Sequence, residues 1–187
     1  PHPAVNGLSG KRYIGLTTTS DLAQWSEIRN IITPDATDDQ WVTEPDQRTE
    51  FYQMSGFYYG RVYLGLLQVF RITDIIENRQ PGQSAYDGPI HSQLVYSYNG
   101  TQWNRFEDRS AIIPTGPYDY DAGCIMFAAN EPVIHNNKVY QYYTAINTTH
   151  GGLSEDKVIS IGLATWRLDG FVSMESPGTD GFIETEP

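Results

Sequence analysis

Helical periodicity is nearly absent from this chain. No stretch of a dozen residues carries an apolar stripe repeating every 3.6 residues. What remains is a series of short alternating runs separated by Gly, Pro, Asn and Asp. The pattern predicts strands at 12–18, 25–31, 50–58, 61–71, 92–98, 103–106, 124–129, 132–135, 138–146, 158–165 and 171–174. Many short strands without helices restrict the fold to an all-β sandwich, barrel or propeller.

Internal similarity separates these options. The segments RYIGLTTTSDLAQWSEI (12–28), SQLVYSYNGTQWNRF (92–106) and SIGLATWRLDGFVSM (160–174) share one plan. A strand runs into a polar turn, and an aromatic residue opens the returning strand. Trp25 and Trp103, 78 residues apart, occupy equivalent places and are expected to pack between repeats. Two further hairpins, FYYGRVYLGLLQVFR (57–71) and EPVIHNNKVYQYYTA (131–145), lie between them. The unit is therefore four antiparallel strands over roughly 70 residues, a β-propeller blade with generous loops. On this reading residues 1–45 are the outer half of a blade, and 46–110 and 111–187 are two blades. Two and a half blades cannot close a ring, so either further blades or self-association must complete it.

Charge and composition exclude several functions. The net charge of −11 and the lack of any basic run argue against nucleic acid as a partner. No apolar segment approaches the length of a membrane span. The one cysteine, Cys124, allows no internal disulfide and reads as a buried thiol within an apolar run. Thirteen tyrosines offer flat apolar bodies with polar tips, which suit sugar-facing surfaces. No EF-hand loop, zinc helix, nucleophile elbow or phosphate loop is present, so no catalytic metal and no required cofactor is implied.

The motifs TTTSDLAQW and YSYNGTQWNR resemble the outer-strand signatures of the five-bladed propeller glycosidases, the clan of glycoside hydrolase families 32, 43 and 68. SIGLATWRLDGFVSMES is similar to a stretch near the end of family 32-like propellers. The resemblance implies a carbohydrate-active protein, a glycoside hydrolase working with paired carboxylates in a central funnel on an oligosaccharide or polysaccharide. It also implies an extracellular or periplasmic location. The segment NEPVIHNNKVYQYYTA resembles the family 43 stretch whose Glu is the general acid, which places that role on Glu131; here Glu131 abuts Pro132 without the usual intervening small residue.

Glycosidic hydrolysis needs one carboxylic acid to protonate the leaving oxygen and one carboxylate to activate water or attack carbon. Glu131 and Asp121 frame one expected inner strand and are candidate neighbours at the funnel mouth, with Asp46 as a further catalytic candidate. Glu50, Arg48, His91, Asp119, Tyr143 and His150 are candidate substrate contacts. Tyr142 and Tyr143 alternate across a strand, so only one faces a ligand. The resemblance also allows a structural calcium near His150. Arg167 and Asp169 read as turn chemistry. The rival reading is a non-catalytic module that binds glycan or assembles with copies of itself.

Overall fold

A computed structural model of the chain describes residues 2–5, 10–173 and 178. It is all-β: no α-helix occurs among these residues, and one 3-10 turn spans Asp119–Asp121. A first sheet joins β1 (His2–Val5), β2 (Arg12–Leu16) and β3 (Arg29–Ile32).

The second sheet has nine strands and curls into a half-barrel. Its first part is an antiparallel meander of β4 (Arg48–Tyr59), β5 (Val62–Ile72) and β8 (Ile90–Ser97), with the short β9 (Asn104–Arg105) and β10 (Ala111–Ile113) on the outer edge of β8. A small hairpin, β6 (Asp74–Ile75) and β7 (Tyr86–Asp87), interrupts the connection from β5 to β8. The second part is β11 (Cys124–Met126) and β12 (Val133–His135), both pairing with β13 (Lys138–Ile146), which pairs with β14 (Ile159–Arg167). The two meanders were expected as separate sheets. Instead a parallel bridge between Ile90 and Cys124 joins them.

Turn chemistry explains the hairpins. Gly60, at φ 62°, opens the two-residue turn between β4 and β5. Asn136 and Asn137, at φ 48° and 57°, make the corresponding turn between β12 and β13, where asparagine tolerates the left-handed region.

The internal repeat is visible in hydrogen bonds. Thr19 Oγ1 accepts from the amides of Asp21 and Leu22, and Asp21 Oδ1 accepts from those of Ala23 and Gln24. In the second copy Ser97 Oγ accepts from Asn99 and Gly100, and Asn99 Oδ1 from Thr101 and Gln102. The left-handed position is Leu22 (φ 62°) in one copy and Gly100 (φ 72°) in the other. The third segment turns differently: Asp169 is left-handed, and its carboxylate accepts from the Tyr59 hydroxyl.

The two tryptophans that follow these turns diverge. Trp103 lies against Gly56 and Gly65, within 3.5 Å and 2.9 Å of where a Cβ would stand. It packs on the cluster of Ile14, Ile32, Phe51, Met54, Leu67, Val69 and Val95 between the two sheets. Trp25 corrects the expectation: it is 57% exposed, and the loop it belongs to delays the strand to Arg29. The strand expected at 171–174 is not formed over 171–173, and Met174 lies outside the described residues. Cys124 is fully buried, and burial pushes its thiol up to about 11, as an inert core cysteine requires.

Candidate functional site

Strand register collects the polar residues. Glu50 pairs with Phe70, Phe70 with Ile90, and Ile90 with Cys124, forming one row across four strands. Strands β4, β8 and β11 run in the same direction along it, so the leading ends of β4 and β11 lie at one end of the sheet. The side chains of Phe70, Ile90 and Cys124 form an apolar floor with Ile72 and Met126, and Tyr52 and Tyr86 pack against it.

Above that floor Glu50 is 2% exposed and meets two arginines. Arg48 Nε donates to Oε1 at 2.8 Å, and Arg12 Nη1 stands 3.4 Å from Oε2. Burial works against the charge on Arg48, but the hydrogen bond and charge of Glu50 outweigh it and raise its pKa. The Arg48 guanidinium lies 4.7 Å over the Tyr86 ring, and that of Arg12 5.6 Å over Tyr52. Tyr52 takes its place because β4 bulges between Phe51 and Gln53, which frees it from the regular alternation.

His150 sits 4.8 Å from the Phe70 ring centre. Its Nδ1 is 3.2 Å from the Tyr86 carbonyl, an acceptor only, so Nδ1 carries the proton and Nε2 accepts from the Tyr52 hydroxyl at 3.1 Å. Burial lowers its pKa first, Lys157 and Arg12 add to this, and the Tyr86 carbonyl and Asp87 oppose it. The ring is thus a neutral brace between β4, β7 and the loop after β13. Asp87 completes the brace by accepting from the Gly88 and Gly151 amides at 2.7 and 2.8 Å. Both ring nitrogens of His150 have partners, and no group of three or more His, Cys, Asp or Glu side chains capable of holding a metal occurs among the described residues.

The second carboxylate at this end is Asp121, three residues before β11 and 4% exposed. Tyr143 donates to its Oδ2 at 3.2 Å, while the buried Oδ1 has no hydrogen-bond partner among the described residues. Burial raises the Tyr143 pKa, and Tyr120 and Asp121 raise it further, so the phenol stays a donor. Gly116 makes room for this carboxylate, since a Cβ there would fall 1.6 Å from Oδ1. Beside it Tyr118 and Tyr120 stack at 5.7 Å with planes 10° apart, and both are exposed. Asp119 is exposed on the same turn. Gly123 abuts the backbone of Thr148 and Thr149, so the Asp121 turn and the His150 loop are packed side by side.

Three candidates thus gather around Glu50 (Arg48, Glu50, His150) and three around Asp121 (Asp119, Asp121, Tyr143). The others lie elsewhere. Glu131 and Asp121 are not neighbours. The expected single strand is broken after Met126, where Phe127 adopts φ 39°. Ala129 pairs with Tyr142, and Glu131 falls beyond it, before Val133 pairs with Tyr140. Four residues separate the Tyr142 level from the Ile146 end of β13, roughly 14 Å of strand. Asp46 is exposed in the turn before β4, where its backbone carbonyl accepts from Arg48.

His91 is on the opposite face of the sheet, one residue after Ile90. Its Nε2 accepts from Gln93, whose Oε1 accepts from Arg105, which in turn forks onto Asp38. Burial, with Arg71 and Arg105, pushes its pKa down to about 4. Of the partners, Arg12, Tyr52, Tyr86 and Asp87 were not among the sequence candidates. The bulge and the β6–β7 hairpin that deliver three of them have no periodic signature.

No family model matches the sequence, and no curated protein does. Two solved structures match the fold. One is named "Glycoside hydrolase", at 16% identity with a TM-score of 0.51, over 92% of this chain and 41% of that one. The other, titled as an RGII complex of BT0996, gives the same identity, TM-score and coverage. The chain therefore spans about two-fifths of the length of these proteins, and at this identity the likeness shows the fold.

Proposed function

We propose that residues 1–187 are part of a five-bladed propeller of the family 32/43/68-like type that acts on carbohydrate as a glycoside hydrolase. One observation carries this reading: the first strands of two successive meanders begin, at one end of the sheet, with a buried carboxylate, Glu50 and Asp121. In a propeller that end of each first strand faces the funnel. The repeated Asx turn 78 residues apart supports the blade unit, and the fold likeness to a protein named glycoside hydrolase is in keeping with a carbohydrate-related role.

The two carboxylates have different work. Glu50 spends its oxygens on two guanidiniums and is a positioning residue. Asp121 keeps one buried oxygen without a partner among the described residues and takes the proton-transfer role at the glycosidic oxygen or the attacking water. Tyr143 holds it in place. Three strand spacings separate Glu50 from Cys124, about 14 Å. An acid pair needs about 5–9.5 Å, so the second reacting carboxylate comes from another unit of the propeller. The open faces of Tyr118 and Tyr120 suit a sugar ring, and they favour a second reading, a glycan-binding module without turnover.

A screen of the intact protein on aryl glycosides and on plant and algal oligosaccharides tests the proposal. Release of reducing sugar supports hydrolysis. Binding without release supports the second reading. Neither binding nor release overturns both.

A further inference from the structure

The cluster around Glu50 holds more positive charge than its own ion pairs use. Arg12 and Arg48 share one carboxylate, and Lys157 donates to the His150 carbonyl at 2.9 Å. Asp87 is engaged by the amides of Gly88 and Gly151, and Asp74 stands across from it in the β6–β7 hairpin. In a chain of net charge −11 this is a local concentration of basic side chains.

The guanidiniums are also held in place. The Tyr86 and Tyr52 rings cover their faces, so their N–H edges are the groups left to donate. Glu50 is hydrogen-bonded by Nε of Arg48, and the buried Nη1 of Arg12, 3.4 Å from Glu50 Oε2, has no hydrogen-bond partner among the described residues. The two side chains are 24% and 23% exposed, open enough to be reached and enclosed enough to be weakly screened. A fixed, planar fork of donors in such a place matches a carboxylate better than a hydroxyl. A purely structural role would need only one arginine to balance Glu50, whereas here two half-buried cations share that one carboxylate at a desolvation cost. Burial is the main cause of the depressed pKa of His150, and Lys157 and Arg12 add to it.

We propose that Arg12 and Arg48 recognise the carboxylate of an acidic sugar, so that the substrate is a glycan containing uronic acid. This rests on the carbohydrate reading above and specifies its substrate class.

The test compares aryl glycosides that differ only at C6, glucuronide against glucoside and galacturonide against galactoside, with the intact protein. The expected result is a kcat/KM at least about tenfold higher for the uronide of one pair. Arg48→Gln should lower uronide turnover at least about tenfold more than turnover of the neutral partner, mainly through KM. Equal turnover of both members of every pair, or a preference for the neutral member, overturns the proposal and leaves the carbohydrate reading standing. Failure to bind or cleave any of the four overturns the proposal, and the oligosaccharide screen then decides the carbohydrate reading. The wild-type comparison needs no variant, so it decides the matter even where Arg48→Gln does not fold.

Discussion

Gly162→Ala probes the packing that holds Asp121 in place. Gly162 pairs directly across from Tyr143, whose ring lies over it. An added Cβ would come 2.2 Å from Cζ, 2.4 Å from Cε2 and 2.7 Å from the hydroxyl oxygen. The ring must move, and it is the ring whose hydroxyl donates to Asp121. Overpacking costs about 1–3 kcal/mol, and losing a hydrogen bond to a buried carboxylate about 1.5–3 kcal/mol. The two overlap, so a loss of about 2–4 kcal/mol is expected. The sign changes in a Tyr143→Leu background, because leucine lacks the clashing atoms. There the same substitution replaces a flexible glycine inside a strand and should stabilise by roughly 0.5–1 kcal/mol. Urea unfolding of the four proteins, with extrapolation to water, measures both values. An equal cost of Gly162→Ala in the two backgrounds would refute the packing argument.

The buried pair on the other face of the sheet gives a second expectation. Arg105 and Asp38 have side chains 7% and 1% exposed, so Asp38→Ala strands a buried guanidinium and should cost about 3–5 kcal/mol in the same assay. His91 makes stability depend on pH. Its pKa falls from 6.5 to about 4 on folding, so the unfolded chain takes up its proton first as pH drops. The penalty is absent above about pH 6.5, grows between there and about pH 4, and reaches roughly 3 kcal/mol. His91→Gln should flatten that part of the stability profile, and an unchanged slope would contradict the buried neutral ring. At the repeated turn, Leu22→Gly should be neutral or stabilising by up to about 1 kcal/mol. Gly100→Leu, at the matching left-handed position, should destabilise.

The strands and their repeat were legible because alternation and turn residues are local signals. The β4–β5 and β12–β13 hairpins follow from Gly60 and from Asn136–Asn137, and the Asx turns follow from Asp21 and Asn99. The burial of Tyr143 and the exposure of Tyr142 also follow from alternation. What depends on distant partners was not legible. The break after Met126 is held by Ser55, which donates to the Ala128 carbonyl, and by Gln141, which donates to that of Ala129. Neither is adjacent in sequence, so an unbroken strand placed Glu131 beside Asp121. The bulge at Tyr52 and the brace at His150 are likewise tertiary. They convert a histidine that resembles a ligand contact into one that ties loops together. His91 could have been separated from Glu50 by alternation alone, since Ile90 faces the shared floor.

The proton-transfer role of the Asp121 carboxylate is the claim on which the proposed chemistry depends. The decisive measurement is the steady-state rate of the intact Asp121→Asn protein on the best glycoside found, with folding verified by urea unfolding. That role predicts a fall in kcat of at least about a hundredfold with stability within about 2 kcal/mol of the parent. An unchanged kcat in a folded protein would contradict it.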